Sequence, residues 1–338
     1  MVPILLNAGH ELVGLDSGLF RECTITADIC NIPELQMDFR DIQPTHLQGF
    51  DAVVHLAALS NDPLSNLFPE ITNEINYTAS VRLAQLAQSA RVQRFLFASS
   101  CSVYGKPAGN DLVDETSEAA PSTPYNISKF RVEQDVTKLA NDAFSPTFLR
   151  NATAYGVSPC LNSELVLNNL VAWAYTKGYV YIKSDGSPWR PVVHVEDISR
   201  AFLAVLEAPR EVIHNQVLNV GYNDENYRIS ELAEIVQQVV AGSQIEYAKD
   251  GGPDLRSYRV DFGKIQRLLP EFKPQWDARR GVEQLYEAYR SNNLVFDDFE
   301  GPRFKRIDHL KQLLATNQLD ATLRWRKSDD LPEKQSVF

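Results

Sequence analysis

Short apolar runs alternate along this chain with segments in which apolar residues recur every three or four positions, and this alternation constrains its fold more than any other feature. Residues 11–15, 35–37, Ala52–His55, 94–98 and 146–149 read as strands. Between them, residues 73–90 place Ile75, Ala79, Leu83 and Leu86 on one apolar face that would cover a sheet, and residues 125–139 read as a second such helix. Strand, helix and strand in succession form β-α-β units and a parallel sheet. Residues 1–9 read as the last turns of a helix ended by a glycine C-cap, so the sequence begins in mid-helix.

After about residue 160 the rhythm loosens. Helices are expected at 165–176, Val195–Glu207, 229–240, 282–290 and 307–315, and short strands at Tyr179–Ile182 and 217–219, among turn-rich pieces at 184–188 and 250–253. This is the pattern of a smaller lobe grown on a ligand-binding core. The expected division assigns 1–165 and about 192–222 to the core, 166–191 and 223–325 to the second lobe, and 326–338 to a loose polar tail.

Charge restricts the partners. Lys+Arg 33 against Asp+Glu 44 leave a net charge of -11, with no concentrated basic stripe, which argues against nucleic acid and leaves any anionic ligand to a few placed arginines. Cys23, Cys30, Cys101 and Cys160 form no Cys-x-x-Cys pair and have no histidine at ligand spacing, so neither a metal site nor a disulfide framework is expected, and a reducing cytoplasm fits. No run approaches the roughly 18 apolar residues of a membrane helix.

Two Tyr-x-x-x-Lys pairs occur, Tyr125/Lys129 and Tyr179/Lys183. On a helix, residues four apart lie one turn apart, with β-carbons about 6 Å from each other. On a strand they are separated by about 13 Å. Tyr125 opens a helical segment whereas Tyr179 lies in an alternating one, so only Tyr125 and Lys129 can act as a pair. A phenol is a poor base at neutral pH unless nearby positive charge favours the phenolate. An isolated match of this kind is more often an exposed pair on a helix surface, so its context decides.

That context is Phe95–Gly105, FLFASSCSVYG, an apolar strand running into small hydroxyl residues where open α/β sheets bind ligands. This segment, followed 25 positions after Ser100 by Tyr125-x-x-x-Lys129, resembles the extended short-chain dehydrogenase/reductase family, in particular its NAD-dependent nucleotide-sugar epimerase and dehydratase branch. The resemblance implies a Rossmann-like, doubly wound parallel sheet with a smaller α+β substrate lobe. Ser100 would hydrogen-bond the sugar hydroxyl being oxidised, Tyr125 would take its proton, and Lys129 would lower the tyrosine pKa while holding the nicotinamide ribose.

Further residues match the family in order. Asp16, ending the second strand, would accept the adenosine ribose hydroxyls and favour NAD over NADP. Asp38 and Phe39 match an adenine-contacting pair, Leu56, Ala57 and Ala58 the small stretch against which the dinucleotide lies, and Asn76 the asparagine in the following helix. For the nucleotide-diphosphate sugar, Asn169 and Leu170 resemble a diphosphate-binding pair, Arg190 a phosphate partner, and Asp254 and Arg256 the last nucleotide-contacting loop. His194 reads as a packed core histidine. The family also implies a homodimer paired through helices 73–90 and 125–139.

Three departures qualify the match. The dehydratases carry Asp-Glu after the catalytic hydroxyl residue, where this chain has Cys101 and Ser102; Gly251 and Gly252 stand where the UDP-galactose epimerases place an arginine. The family's first strand and Gly-x-x-Gly-x-x-Gly loop would end about 20 residues before Asp16 and are not in this sequence, so a gap between strands two and four is expected, or a sheet that closes up. A nucleotide-sugar epimerase is the leading expectation, with a ketoreductase or dehydrogenase and a non-catalytic sugar-nucleotide binder as alternatives.

Overall fold

The computed structural model describes residues 1–26, 30–60, 62–106, 112–249 and 257–326. Its strands in chain order are β1 (Gly14–Asp16), β2 (Glu34–Gln36), β3 (Ala52–His55), β4 (Arg94–Ser100), β5 (Leu112–Val113), β6 (Ser145–Asn151), β7 (Thr153–Tyr155), β8 (Tyr179–Ile182), β9 (Trp189–His194), β10 (Gln216–Val220), β11 (Asn226–Arg228), β12 (Gln244–Tyr247) and β13 (Arg259–Val260).

A four-stranded parallel sheet in the order β10-β6-β4-β3 forms the centre of the molecule. Along β4 the side chains alternate between its two faces. Phe95 and Phe97 pack with Leu83, Ala84, Val132 and Val136 from helices Ala79–Ser89 and Pro124–Val136. Leu96 packs with Ala201, Phe202 and Val205 of helix Val195–Glu207 on the other face. Covering both faces is what makes these strands continuously apolar and the sheet doubly wound.

β1 and β2 form a separate parallel pair, and β1 makes no ladder with β3. Leu15 and Val53 nevertheless pack against the same apolar cluster, so the two sheets share a core without sharing hydrogen bonds. The sheet is therefore open at the expected position. Helix Val2–Asn7 ends at Ala8, with Gly9 at a φ of 90°, in agreement with the glycine stop read from the sequence.

The second lobe packs helices Val166–Lys177, Ile229–Val239 and Ala278–Ser291 around one core, with the parallel pair β8-β12 and the three-stranded sheet β11-β9-β7 against them. β7, β9, β11 and β12 were not anticipated from sequence. The expected lobe division also needs correction at its end. Leu310, Leu313, Leu319 and Leu323 pack on Leu59, Leu64 and Ile75, which puts the C-terminal stretch against the core domain and not in the second lobe. The tail after Arg326 lies outside the described residues.

Candidate active site

β4 ends in two serines that point opposite ways. Ser99 turns inward and donates its hydroxyl to Glu133. Ser100 turns outward, caps the single turn Cys101–Tyr104, and accepts hydrogen bonds from the Ser102 amide at 3.2 Å and hydroxyl at 2.9 Å. Facing it, helix Pro124–Val136 starts with a reciprocal cap: the Asn126 side chain accepts from the Thr123 amide at 2.8 Å, and Pro124 occupies the first turn. Tyr125 thereby lies at the helix entrance beside Ser100, whose hydrogen bond favours its phenolate.

One turn on, the Lys129 ammonium donates to the Ala98 carbonyl at 2.7 Å and sits 4.6 Å from the centre of the Phe97 ring and 5.9 Å from that of Tyr125. Tyr125 and Lys129 do lie on one helix face, while Tyr179 lies on strand β8, as the spacing argument requires. The electrostatics differ from expectation. Burial pushes the Tyr125 phenol up to about 12, the Ser100 hydrogen bond opposing and the Asp62 charge adding to the rise; burial brings the Lys129 ammonium down to about 7 against the pull of Glu133.

Sequence reasoning missed the layer behind this pair. Arg150 on β6 grips Glu133 with two nitrogens, Nη2–Oε2 at 2.6 Å and Nε–Oε1 at 3.0 Å, both side chains being buried. Glu133 lies four residues beyond Lys129, on the same face, and that spacing was the available signal. His55 at the end of β3 is neutral, its pKa brought down to about 3 by burial and the Lys129 charge, and it pairs with Ser80 at 2.7 Å.

Of the residues matched to the dinucleotide, Asp16 ends β1, Asp38 and Phe39 follow β2, and Leu56, Ala57 and Ala58 follow β3. Asp16 is exposed, with Oδ1 accepting from the Gly18 amide at 2.6 Å. Asp38 is held by the Arg40 guanidinium at 2.6 Å; burial alone would raise its pKa, but the hydrogen bonds and charge of Arg40 outweigh that and keep it low. Phe39 is half-buried 5.1 Å from the His55 ring. Leu56 is 47% exposed and Ala57 is also open, which leaves apolar surface accessible after β3. Asn76 is 1% exposed and spends its amide on the Leu59 amide and carbonyl at 2.8 and 3.0 Å, so it acts by fixing the loop after β3. A π-helical turn, Asn73–Thr78, aims it there, where one regular helix was expected.

On the substrate side, Asn169 donates to the Ser163 carbonyl at 3.0 Å near the start of its helix, and Leu170, 2% exposed, belongs to the lobe core. Arg190 lies on β9 and donates to the Trp189 carbonyl at 2.9 Å. Asp254 and Arg256 lie outside the described residues. His194 is buried, stacked on Trp276 at 3.9 Å and bonded to Gln284 at 2.8 Å, a packing histidine as expected. Among the described residues no group of His, Cys, Asp or Glu could hold a metal, and no helix is long and apolar enough to cross a membrane. All four cysteines are free.

An exposed acid ending β1, an open apolar shelf after β3, and a lysine beneath a tyrosine after β4 suit ribose, ring and nicotinamide in turn, so these residues fit NAD. The UDP-glucose 4-epimerase of Bacillus subtilis is 26% identical over 309 residues, covering 83% of this chain and 89% of that protein. The human dTDP-D-glucose 4,6-dehydratase is 25% identical over 276 residues, 79% of this chain and 75% of its own. Among solved structures, the dTDP-glucose 4,6-dehydratase DesIV of Streptomyces venezuelae, with NAD and TYD bound, superposes with a TM-score of 0.71 at 25% identity over 86% of this chain and 93% of that one. The cofactor is NAD. Residues 1–221 match the NAD dependent epimerase/dehydratase family, and the chain belongs to that family.

Proposed function

We propose that this chain is a nucleotide-sugar epimerase, which oxidises a sugar hydroxyl and reduces the resulting ketone from its opposite face. The observation that carries this reading is the state of Cys101. Dehydratases of the family use an acidic pair after the catalytic hydroxyl residue; here Cys101 is 1% exposed, donates to the Arg150 carbonyl at 3.1 Å, and is held protonated by burial. Neither it nor Ser102 can drive an elimination, whereas the Ser100, Tyr125 and Lys129 arrangement suits proton removal from a hydroxyl.

In this reading Ser100, oriented by Ser102, receives the substrate hydroxyl and steadies the developing oxyanion. Tyr125 takes the hydroxyl proton and later returns it. Lys129, anchored on Ala98, holds positive charge below the phenol and reaches the nicotinamide ribose. Bound NAD would supply the hydride acceptor and donor and a positive charge that favours the phenolate. Asn169 and Arg190 hold the diphosphate of the sugar nucleotide, their amide and guanidinium donors suiting phosphate oxygens on an otherwise acidic molecule. The substrate is a UDP- or dTDP-hexose, and the chain works as a homodimer paired through helices Ala79–Ser89 and Pro124–Val136 in a reducing cytoplasm.

The test is product analysis in deuterated water with a panel of UDP- and dTDP-hexoses. Epimerisation by oxidation and return of hydride gives the epimer with the carbon-bound hydrogen retained. A 4-keto-6-deoxy product carrying solvent deuterium would identify a dehydratase instead, and net consumption of NADH a reductase.

A further inference from the structure

The C-terminal stretch packs its apolar side chains on Leu59, Leu64 and Ile75, and its hydrogen bonds reach segments that follow the carboxyl ends of strands. Helix Arg306–Ala315 begins beside the segment that follows β7, where the Arg306 amide donates to Glu164 Oε2 at 3.1 Å. On the cofactor side, His309 lies 2.9 Å from the Leu19 carbonyl and Trp325 donates its indole to the Ser17 carbonyl at 2.6 Å, both just past β1. Arg40, beyond β2, donates to the Thr322 carbonyl at 3.0 Å.

Within this frame Arg306 is the unexplained group. Its Nη1 donates to Ser60 in the loop after β3 at 3.1 Å, and its guanidinium sits 4.9 Å from the centre of the Phe20 ring in the loop after β1. Its Nε is shut off from solvent with no hydrogen-bond partner, and the guanidinium forms no ion pair among the described residues. Burying part of a guanidinium is costly, Cys160 is its weakly polar neighbour, and a fixed guanidinium fork matches phosphate oxygens. Arg306 spans the crevice between the loops after β1 and β3. Ligands of open parallel sheets bind there, and a dinucleotide running from Asp16 to Tyr125 must pass that point with its diphosphate.

We propose that Arg306, carried on the C-terminal helix, binds the diphosphate of the dinucleotide. The proposal rests on the reading of this crevice as the NAD site, and Trp325 and the helix contacts serve to hold the guanidinium in place. Its charge is supplied from about 290 residues away in sequence, which makes the C-terminal stretch part of the cofactor site and not an appendage to the substrate lobe.

Calorimetric titration of the full chain with NAD, in wild type, Arg306→Gln and Arg306→Lys, each at several salt concentrations, tests this. Screening weakens a charge pair as salt rises. The expected result is at least a tenfold loss of NAD affinity in Arg306→Gln with a shallower salt dependence, and recovery of most of both in Arg306→Lys. Unchanged affinity in Arg306→Gln overturns the proposal. So does a loss that keeps the wild-type salt dependence, since that means the side chain only props the loops. Wild type that binds no NAD overturns the reading of the crevice itself, and the proposal with it.

Discussion

Glu133 and Arg150 form a buried bidentate ion pair, 2.6 Å at its shortest, that fastens the helix carrying Tyr125 and Lys129 to the central strand β6. Removing one partner leaves the other charge buried and uncompensated, which costs about 3–5 kcal/mol. Glu133→Ala therefore lowers stability by that amount in urea unfolding. Replacing both residues, Glu133→Leu with Arg150→Met, recovers most of the loss, because an apolar pair leaves no orphan charge.

Lys129 is buried with its pKa brought down to about 7 from an unfolded value near 10.5. The native state thus disfavours the charged form, and the unfolded chain binds the extra proton between pH 7 and 10.5. Stability rises with pH through that window and bears the full penalty below it. Lys129→Met removes the penalty: it stabilises the chain at pH 6 by on the order of 2 kcal/mol and flattens the unfolding profile between pH 7 and 10.

Glu225 presents the opposite sign. Its carboxyl is 5% exposed, accepts from Tyr227 at 3.0 Å on Oε1, and is pushed up to about 7 by burial, the Tyr227 and Ala278 hydrogen bonds opposing and the Asp277 and Asp224 charges adding to the rise. The native state holds a proton that the unfolded chain releases near 4.5, so stability falls as pH rises from 4.5 to 7 and the loss is complete above that. Glu225→Gln keeps the shape without the charge. It raises the melting temperature at pH 8 and has little effect at pH 4, as differential scanning calorimetry at the two pH values will show.

Gly281 is required by a close approach and not by its backbone angle. A β-carbon there would come within 2.1 Å of the Tyr155 ring, which stands edge-on to His194 at 5.3 Å in the core of the second lobe. Gly281→Ala, usually favourable inside a helix, costs about 1–3 kcal/mol here, measured as a lower denaturation midpoint.

The sequence was most legible where local pattern and tertiary packing agree. Helix Val195–Glu207 and strands Ala52–His55 and Tyr179–Ile182 have the residue limits that their apolar spacing implies. β9 went unread because Trp189, Arg190 and Pro191 break its apolar pattern; its pairing with β7 and β11 makes it a strand. β5 and β13, two residues each, exist only through a ladder between segments about 147 positions apart. Leu310 and Leu313 announce a one-sided helix, but nothing local says that its apolar face covers Leu59 and Leu64 and not the second lobe.

At the candidate site, the proximity of Ser100, Tyr125 and Lys129 was readable from motif and spacing. Their surroundings were not. The rise of the Tyr125 phenol comes from burial in the folded chain, and Glu133 and Arg150 meet only after the helix has docked on β6.

The central claim is that Tyr125 moves the proton of a sugar hydroxyl during epimerisation. Its most direct test is the rate of nucleotide-sugar interconversion by NAD-loaded wild type and Tyr125→Phe, with NAD affinity and melting temperature of both recorded alongside. A positioned general base contributes about a hundredfold or more. The account predicts that Tyr125→Phe binds NAD within a few-fold of wild type, melts at a similar temperature, and loses at least about a hundredfold in turnover. A Tyr125→Phe enzyme that interconverts the sugars at the wild-type rate would contradict it.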